Sequence, residues 1–107
     1  SASHQLLNLP EGHKCAGLHG HNYVVLLELA SNNVDASGFI IDVYELRALK
    51  AYIDDVFDHA HLNDVMDLSP STENLAKHFY DWCKARWPQP AAVRVSETPK
   101  IWAEFRP

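Results

Sequence analysis

The order of apolar and polar residues along the chain predicts strands near both ends and helices between them. Residues 21–30 are β-branched and apolar on both faces, which is typical of a strand covered on two sides. Before them, His4 lies among alternating small and apolar residues in segment 1–7, which predicts a first strand. Because the chain begins inside this strand, we expect a processed or incompletely represented N-terminus. Segment 8–20 contains one proline and three glycines and is predicted to be a loop.

Two helices are predicted in the middle of the chain. The first is indicated by apolar residues at spacings of three and four, which are Leu46, Leu49, Ile53 and Phe57. The second follows Pro70, with Ser71 or Thr72 as its N-cap, and ends before Pro88. On this second helix, His78 is predicted to lie on a solvated face.

The C-terminal segment alternates twice more between apolar and polar residues. Val93 and Val95 mark one strand, the alternation from Ile101 to Phe105 marks another, and Pro99 separates them. The element order ββααββ predicts an α+β fold, in a single domain over residues 1–107. Four strands and two helices leave sheet edges unpaired, so we expect the chain to form an oligomer.

Composition narrows the class of protein. The chain has 107 residues, 47% hydrophobic and 21% charged, as expected of a globular domain. Nine Lys and Arg against 14 Asp and Glu give a formal charge of -5, which argues against a general nucleic-acid surface but allows one small anionic ligand. No apolar run reaches about 18 residues, so no membrane span is expected. Cys15 and Cys83 form no CxxC motif, which suits a reducing cytoplasm.

Histidine is unusually frequent, with seven residues in the chain and four of them among the first 21. His19 and His21 stand two apart at the start of a strand, so both side chains point to one face. If His4 lies on a neighbouring strand, it completes a trio of the kind that holds catalytic zinc with one open position. His13 is an alternative third ligand, and copper and iron accept the same donors as zinc. The non-functional alternative is that His19 and His21 are two surface histidines of a loop.

A cysteine lies close to this motif. Cys15 precedes His19 by four residues and stands beside Lys14, so a nearby metal ion and ammonium would favour its thiolate as a base or nucleophile. The alternative is a buried cysteine that acts as a small hydrophobic residue. Cys83 is assigned to that second class, because it follows Phe79 by four positions on the packing side of a helix.

Two acidic positions complete the candidate chemistry. Asp58 beside His59 closes the first helix, and a carboxylate next to an imidazole can fix its tautomer for proton transfer. His61 competes for this role, and a plain helix C-terminus is the structural alternative. Glu97 ends the third predicted strand, where its carboxylate could accept two parallel N–H donors, as a guanidinium or a 2-amino-4-oxo-pyrimidine ring presents them.

Together these motifs resemble the 6-pyruvoyltetrahydropterin synthase superfamily almost from end to end. The matching residues are His4, Glu11-Gly12-His13-Lys14-Cys15, Leu18-His19-Gly20-His21-Asn22, Gly38, Asp42, Asp58-His59, Leu62-Asn63, Pro70, Thr72-Glu73-Asn74 and Ser96-Glu97-Thr98. The spacing C-x3-H-G-H resembles the 6-carboxytetrahydropterin synthase branch of queuosine biosynthesis. The resemblance implies a tunnelling fold, an antiparallel sheet with two helices on one face, assembled as trimers that stack into a hexamer.

The resemblance also implies a chemistry. Zinc would be held by His4, His19 and His21, and Cys15 with Asp58 and His59 would transfer protons. Glu97 would anchor the pterin, Thr72 and Glu73 would line its pocket, and Lys14 and His13 are the nearest cations for a triphosphate. In the family the site lies between subunits, so Cys15 and His59 of one site can come from different chains.

The implied reaction converts 7,8-dihydroneopterin triphosphate to 6-carboxytetrahydropterin with release of acetaldehyde and triphosphate. Its alternatives are a 6-pyruvoyltetrahydropterin synthase, a non-catalytic zinc- or pterin-binding module and a zinc hydrolase.

Overall fold

The computed structural model describes all 107 residues and contains five strands and two helices. The strands are β1 (Ala2–His4), β2 (His19–His21), β3 (Val24–Leu29), β4 (Pro90–Thr98) and β5 (Ile101–Phe105), and the helices are α1 (Arg47–Tyr52) and α2 (Thr72–Arg86). A π-helical turn, Ile53–Phe57, continues α1, and two 3₁₀ turns cover Lys14–Ala16 and Leu62–Asp64. Antiparallel sheets with two helices confirm the predicted α+β class. No helix has the length and apolar composition that crossing a membrane requires.

The strands form two separate sheets, whereas the family resemblance implied a single one. β1 pairs with β2, while β3, β4 and β5 form a separate antiparallel sheet in that order. The prediction of one strand over residues 21–30 is therefore wrong in extent. Pairing with β1 ends at His21, and pairing with β4 begins at Val24. The expected cover on both faces is also wrong for this single chain, since Val24 is 51% exposed and Leu26 is 44% exposed.

The core lies between α2 and the three-stranded sheet. It contains the buried residues Phe57, Leu62, Leu75, Ala76, Phe79, Tyr80, Val93 and Val95. Ser71 is the N-cap of α2, because its hydroxyl accepts a hydrogen bond from the Asn74 N–H at 3.2 Å. Cys83 is fully buried, as predicted, and burial raises the pKa of its thiol to about 11. The Asn74 side chain also donates to the Ser69 carbonyl at 2.7 Å, so the start of α2 holds the loop before it, residues 69–71.

The end of the first helix differs from a regular α-helix. The Asp58 N–H reaches the Ile53 carbonyl at 2.8 Å, a π-type bond that ends the helix and leaves Asp58 extended. The wider turn places Phe57 in the core, and the next residue, His59, has a positive φ of 60°. Asp58 and His59 therefore close the helix, as predicted, and lie on the side of β1.

The structure corrects the prediction for His78. Its side chain is half-buried between the two helices instead of solvated, and its Nε2 atom lies within hydrogen-bonding distance of the Tyr52 hydroxyl, at 2.7 Å. Its ring also contacts Phe57, with the centroids 5.5 Å apart. Burial lowers the pKa of His78 below its ordinary value of 6.5, and the nearby Asp81 carboxylate opposes this only in part.

The lowered pKa of His78 predicts acid-dependent stability. Since the unfolded chain binds a proton more readily at this position, its contribution to stability is complete above about pH 6.5 and is lost as the pH falls below that value. As the pH falls through this range, the free energy of unfolding, measured with urea, should decrease less in His78→Gln than in the unchanged chain. Equal pH dependence in the two proteins would contradict the prediction.

Candidate metal centre

Three histidines from two strands converge on one point. His19 and His21 project from the same face of β2, and the register of the β1–β2 pair places His4 directly opposite His19. The nitrogen atoms that the three rings offer lie within 4.8 Å of one another. His4 is fully buried, while His19 and His21 are partly exposed. The trio expected from the sequence is therefore assembled within one chain.

The ring tautomers fit a metal ion. The Nδ1–H of His4 donates to the Pro70 carbonyl at 2.7 Å, and the Nδ1–H of His19 donates to the Gly17 carbonyl at 2.8 Å. Each Nε2 then carries a lone pair, yet the two Nε2 atoms are only 2.9 Å apart. Two lone pairs at this distance repel unless a proton or a metal ion lies between them. Neutral imidazoles with Nδ1–H tied to carbonyls are the usual histidine ligands of zinc.

The environment of His4 favours its neutral form. Burial lowers the pKa of His4, and the neighbouring His19 and His21 rings lower it further, while the bond to Pro70 and the charge of Glu97 partly oppose them. A metal ligand must offer an unprotonated nitrogen. The buried position of His4 therefore supplies a donor that is ready to bind at neutral pH.

Two groups that contact His4 were not predicted from the sequence, the Tyr23 hydroxyl and the Pro70 carbonyl. The Tyr23 hydroxyl lies 3.1 Å from Nδ1 of His4, and its ring meets the edge of the His21 ring with centroids 5.6 Å apart. Burial and the negative charge of Glu97 raise the pKa of Tyr23, so its hydroxyl stays protonated. A signal for Tyr23 was present, since it follows His21 by two residues and continues the spacing of His19 and His21. No signal pointed to the Pro70 carbonyl.

Glu97 lies next to the trio. One of its carboxylate oxygens is 3.5 Å from Nε2 of His21, and both side chains are only 21–25% exposed. Together with His21 it borders an open cleft of about 570 Å³ that includes Asn22, Thr98 and Trp102. The cleft therefore has an acidic wall beside the three imidazoles.

The loop that carries Cys15 forms a 3₁₀ turn at the edge of this region. Cys15 is partly exposed, and its sulfur does not belong to the cluster of donor atoms. The His13 ring accepts a hydrogen bond from the Cys15 N–H at 3.1 Å, so His13 caps the turn and is not the third ligand. The Leu6 N–H donates to the Cys15 carbonyl at 2.9 Å, which ties the turn to the residues after β1. Lys14 in the same turn is exposed.

Asp58 and His59 form the expected pair at the opposite side of β1. Nδ1 of His59 is 3.0 Å from the Asp58 carboxylate, and the His59 side chain is 82% exposed. His59 and His21 line the same open cleft. The competing residue, His61, places its Nδ1 3.0 Å from the Ser3 hydroxyl instead, so it does not pair with Asp58.

Thr72 and Glu73 lie at the start of α2. Thr72 is buried, and its hydroxyl donates to the Glu73 carboxylate at 3.4 Å. Thr72 stands two residues after Pro70, whose carbonyl holds the His4 ring. Glu73 itself is exposed, and neither residue lines the cleft that Glu97 borders.

Comparisons with known proteins agree with this geometry. A protein of Bacillus subtilis named 6-carboxy-5,6,7,8-tetrahydropterin synthase is 34% identical over 106 residues, 87% of this chain and 70% of the relative. The structure of 6-pyruvoyl tetrahydropterin synthase from Caenorhabditis elegans superposes with a TM-score of 0.84 at 26% identity, over 99% of this chain and 88% of the other. A structure from Wolinella succinogenes, at 17% identity, shares the fold with a TM-score of 0.85 over 98% and 92% of the chains.

The family model for 6-pyruvoyl tetrahydropterin synthase matches residues 1–107. This match extends over both sheets and both helices and includes all three converging histidines. The chain therefore belongs to the 6-pyruvoyl tetrahydropterin synthase family and has its tunnelling fold.

Proposed function

We propose that this chain is a zinc-dependent 6-carboxy-5,6,7,8-tetrahydropterin synthase of queuosine biosynthesis. It would convert 7,8-dihydroneopterin triphosphate to 6-carboxytetrahydropterin with release of acetaldehyde and triphosphate. The observation that carries the proposal is the pair of Nε2 atoms of His4 and His19, 2.9 Å apart with both Nδ1–H groups already bound to carbonyls. Family membership supports an enzyme of the lyase kind, and the relative from Bacillus subtilis supports the carboxy product.

His4, His19 and His21 would hold the zinc ion and leave one position open to the substrate. When bound, the ion polarises the oxygens of the substrate side chain and stabilises the negative charge that develops as protons leave carbon. The Pro70 and Gly17 carbonyls keep the first two rings in the tautomer that this requires.

Glu97 would orient the pterin ring. A carboxylate accepts two parallel N–H donors, which the 2-amino-4-oxo-pyrimidine part of a pterin presents. Since the carboxylate lies 3.5 Å from the His21 ring, a pterin held there would direct its side chain toward the three histidines. We also assign Thr72 and Glu73 to the pterin pocket, and exposed Lys14 with His13 to the triphosphate.

Proton transfer would fall to Cys15 and to His59. A thiolate at Cys15 would remove a proton from a side-chain carbon, and His59, oriented by Asp58 at 3.0 Å, would return one. Because Cys15 must stay reduced for this role, we place the enzyme in a reducing compartment such as the cytoplasm.

We propose that the site is completed between subunits of a hexamer built from two trimers. Three features of the single chain support an assembly. Both outer strands of the larger sheet, β3 and β5, have an unpaired edge, and apolar residues on its open face are exposed, with Trp102 45% exposed. His59 is also 82% exposed, so it is available to a neighbouring chain. Light scattering of the zinc-loaded protein would give six times the mass of one chain.

The proposed function is tested by product analysis. Zinc-loaded protein is incubated with 7,8-dihydroneopterin triphosphate, and the pterin product and acetaldehyde are measured by mass spectrometry. Equal amounts of 6-carboxytetrahydropterin and acetaldehyde are expected. A pyruvoyl product without acetaldehyde would assign the activity named for the Caenorhabditis elegans structure, and zinc binding without any turnover would indicate a binding module.

The anchor role of Glu97 predicts a specific kinetic change. Glu97→Gln replaces one acceptor oxygen by an amide donor that opposes the ring N–H groups, so KM should rise by about 10- to 100-fold with a smaller change in kcat. Steady-state kinetics measures both constants. Glu45→Gln, at an exposed position in the turn before α1, is the matched control and should behave as the unchanged chain. An unaltered KM in Glu97→Gln would remove the anchor.

A further inference from the structure

β1 is paired on both of its edges. On one edge it meets β2, and on the other it meets residues 59–63, which run parallel to it. The His59 N–H donates to the Ser1 carbonyl at 2.6 Å, and the Ser3 N–H donates to the Ala60 carbonyl at 3.0 Å. Ser3 and His61 form a parallel bridge. The strand that presents His4 is thus the middle strand of a small three-stranded arrangement.

Beyond the backbone pairing, a side chain continues the hydrogen bonding to this edge of β1. At Leu62 the chain turns into the 3₁₀ segment Leu62–Asp64, so its peptide groups no longer face β1. The Asn63 side chain takes their place. Its Oδ1 accepts from the Gln5 N–H at 2.8 Å, and its Nδ2 donates to the Gln5 carbonyl at 2.8 Å. One amide therefore pairs with both backbone groups of the residue that follows His4.

We infer that Asn63 is a positioning residue of the metal centre, acting through the backbone of β1 on His4. This inference rests on the proposed zinc site. His4 is held by β2 through His19 on one side and, through Gln5, by Asn63 on the other. Its ring must also reach the Pro70 carbonyl, so a small movement of the strand displaces Nε2 from the point shared with His19. Replacing a residue that orients a metal ligand without itself binding the metal typically lowers metal affinity 10- to 100-fold.

If Asn63 only stabilised the fold, its replacement would have a different effect. The replacement would lower the unfolding temperature and leave the zinc affinity of the folded chain unchanged. The affinity must therefore be measured well below the unfolding transition, where circular dichroism shows each variant to be folded. Competition with a chromophoric chelator for Zn²⁺ gives the dissociation constant, and visible absorption of the Co²⁺-loaded protein reports the ligand geometry.

Two variants and a matched pair of controls make the test. Asn63→Ala removes the amide. Asn63→Leu removes the hydrogen bonds but keeps a side chain branched at the same carbon, so it avoids the cavity that alanine would leave. Both should bind Zn²⁺ about 10- to 100-fold more weakly and should alter the Co²⁺ absorption. Asn33→Ala and Asn33→Leu, at an exposed turn, should bind as the unchanged chain does.

The outcomes separate this inference from the function on which it rests. Zinc affinity that is equal in the unchanged chain and in folded Asn63→Leu would overturn the role of Asn63 while leaving the metal centre in place. If the unchanged chain binds no zinc, the proposed centre fails, and the inference fails with it.

Discussion

Replacing His19 by alanine is expected to abolish stoichiometric zinc binding and to lower turnover by about a thousandfold or more. Two donors from His4 and His21 remain, which is one fewer than the three protein ligands of a catalytic zinc site. The metal's contribution of several kcal/mol to the transition state is then lost. Elemental analysis after dialysis measures the zinc content, and the rate of product formation measures turnover.

His19 is the best of the three ligands for this experiment. Since His4 is fully buried and bonded to Pro70, its removal would leave an unpaired carbonyl and would disturb the fold itself. His19 is partly exposed, and its Nδ1 bond to Gly17 lies at the surface, so His19→Ala should fold normally by circular dichroism.

His13→Ala is the matched control for His19. The His13 ring caps the Cys15 turn instead of joining the donor cluster, so this variant should keep its full zinc content. Full occupancy in His19→Ala would show that the proposed trio is wrong. Loss of zinc in His13→Ala, with zinc retained in His19→Ala, would identify His13 as the third ligand.

The parts of the site that follow from local spacing were predictable from sequence. Two histidines separated by one residue share a face in any strand, which is why His19 and His21 point the same way. The Ser71 cap and the burial of Cys83 follow from the periodicity of one helix in the same manner. Such features depend on residues that are close along the chain.

The features that were missed depend on pairing between distant residues. The apolar run over 21–30 is continuous, so nothing in it marks where β2 ends and β3 begins to pair with β4. His78 is half-buried because Tyr52 and Phe57, more than 20 positions earlier, lie against it. Asn63 pairs with Gln5 across 58 positions, and a polar residue in a turn carries no signal for such a partner. Tertiary contacts decide these positions, and the local pattern does not report them.

Replacement of Cys15 by alanine is the second change with a large expected effect. It should lower kcat by about 10²- to 10⁴-fold, the usual contribution of a positioned acid or base, and leave the zinc content unchanged. The sulfur lies outside the donor cluster, and the turn is held by backbone bonds that alanine retains. The residue is also only partly buried, so the free energy of unfolding should change little.

Cys83→Ala provides the opposite pattern within the same chain. Cys83 is fully buried on α2, so removing its sulfur leaves a small cavity and should cost about 1 kcal/mol of stability without lowering kcat. Burial also keeps this thiol protonated, with a pKa of about 11, so iodoacetamide should label Cys15 first in the native protein. Inactivation should then follow the labelling of Cys15 and should be slowed by bound pterin. If Cys15→Ala keeps its full kcat while its zinc content is normal, the thiol takes no part in the reaction, and proton removal must be assigned to the Asp58–His59 pair.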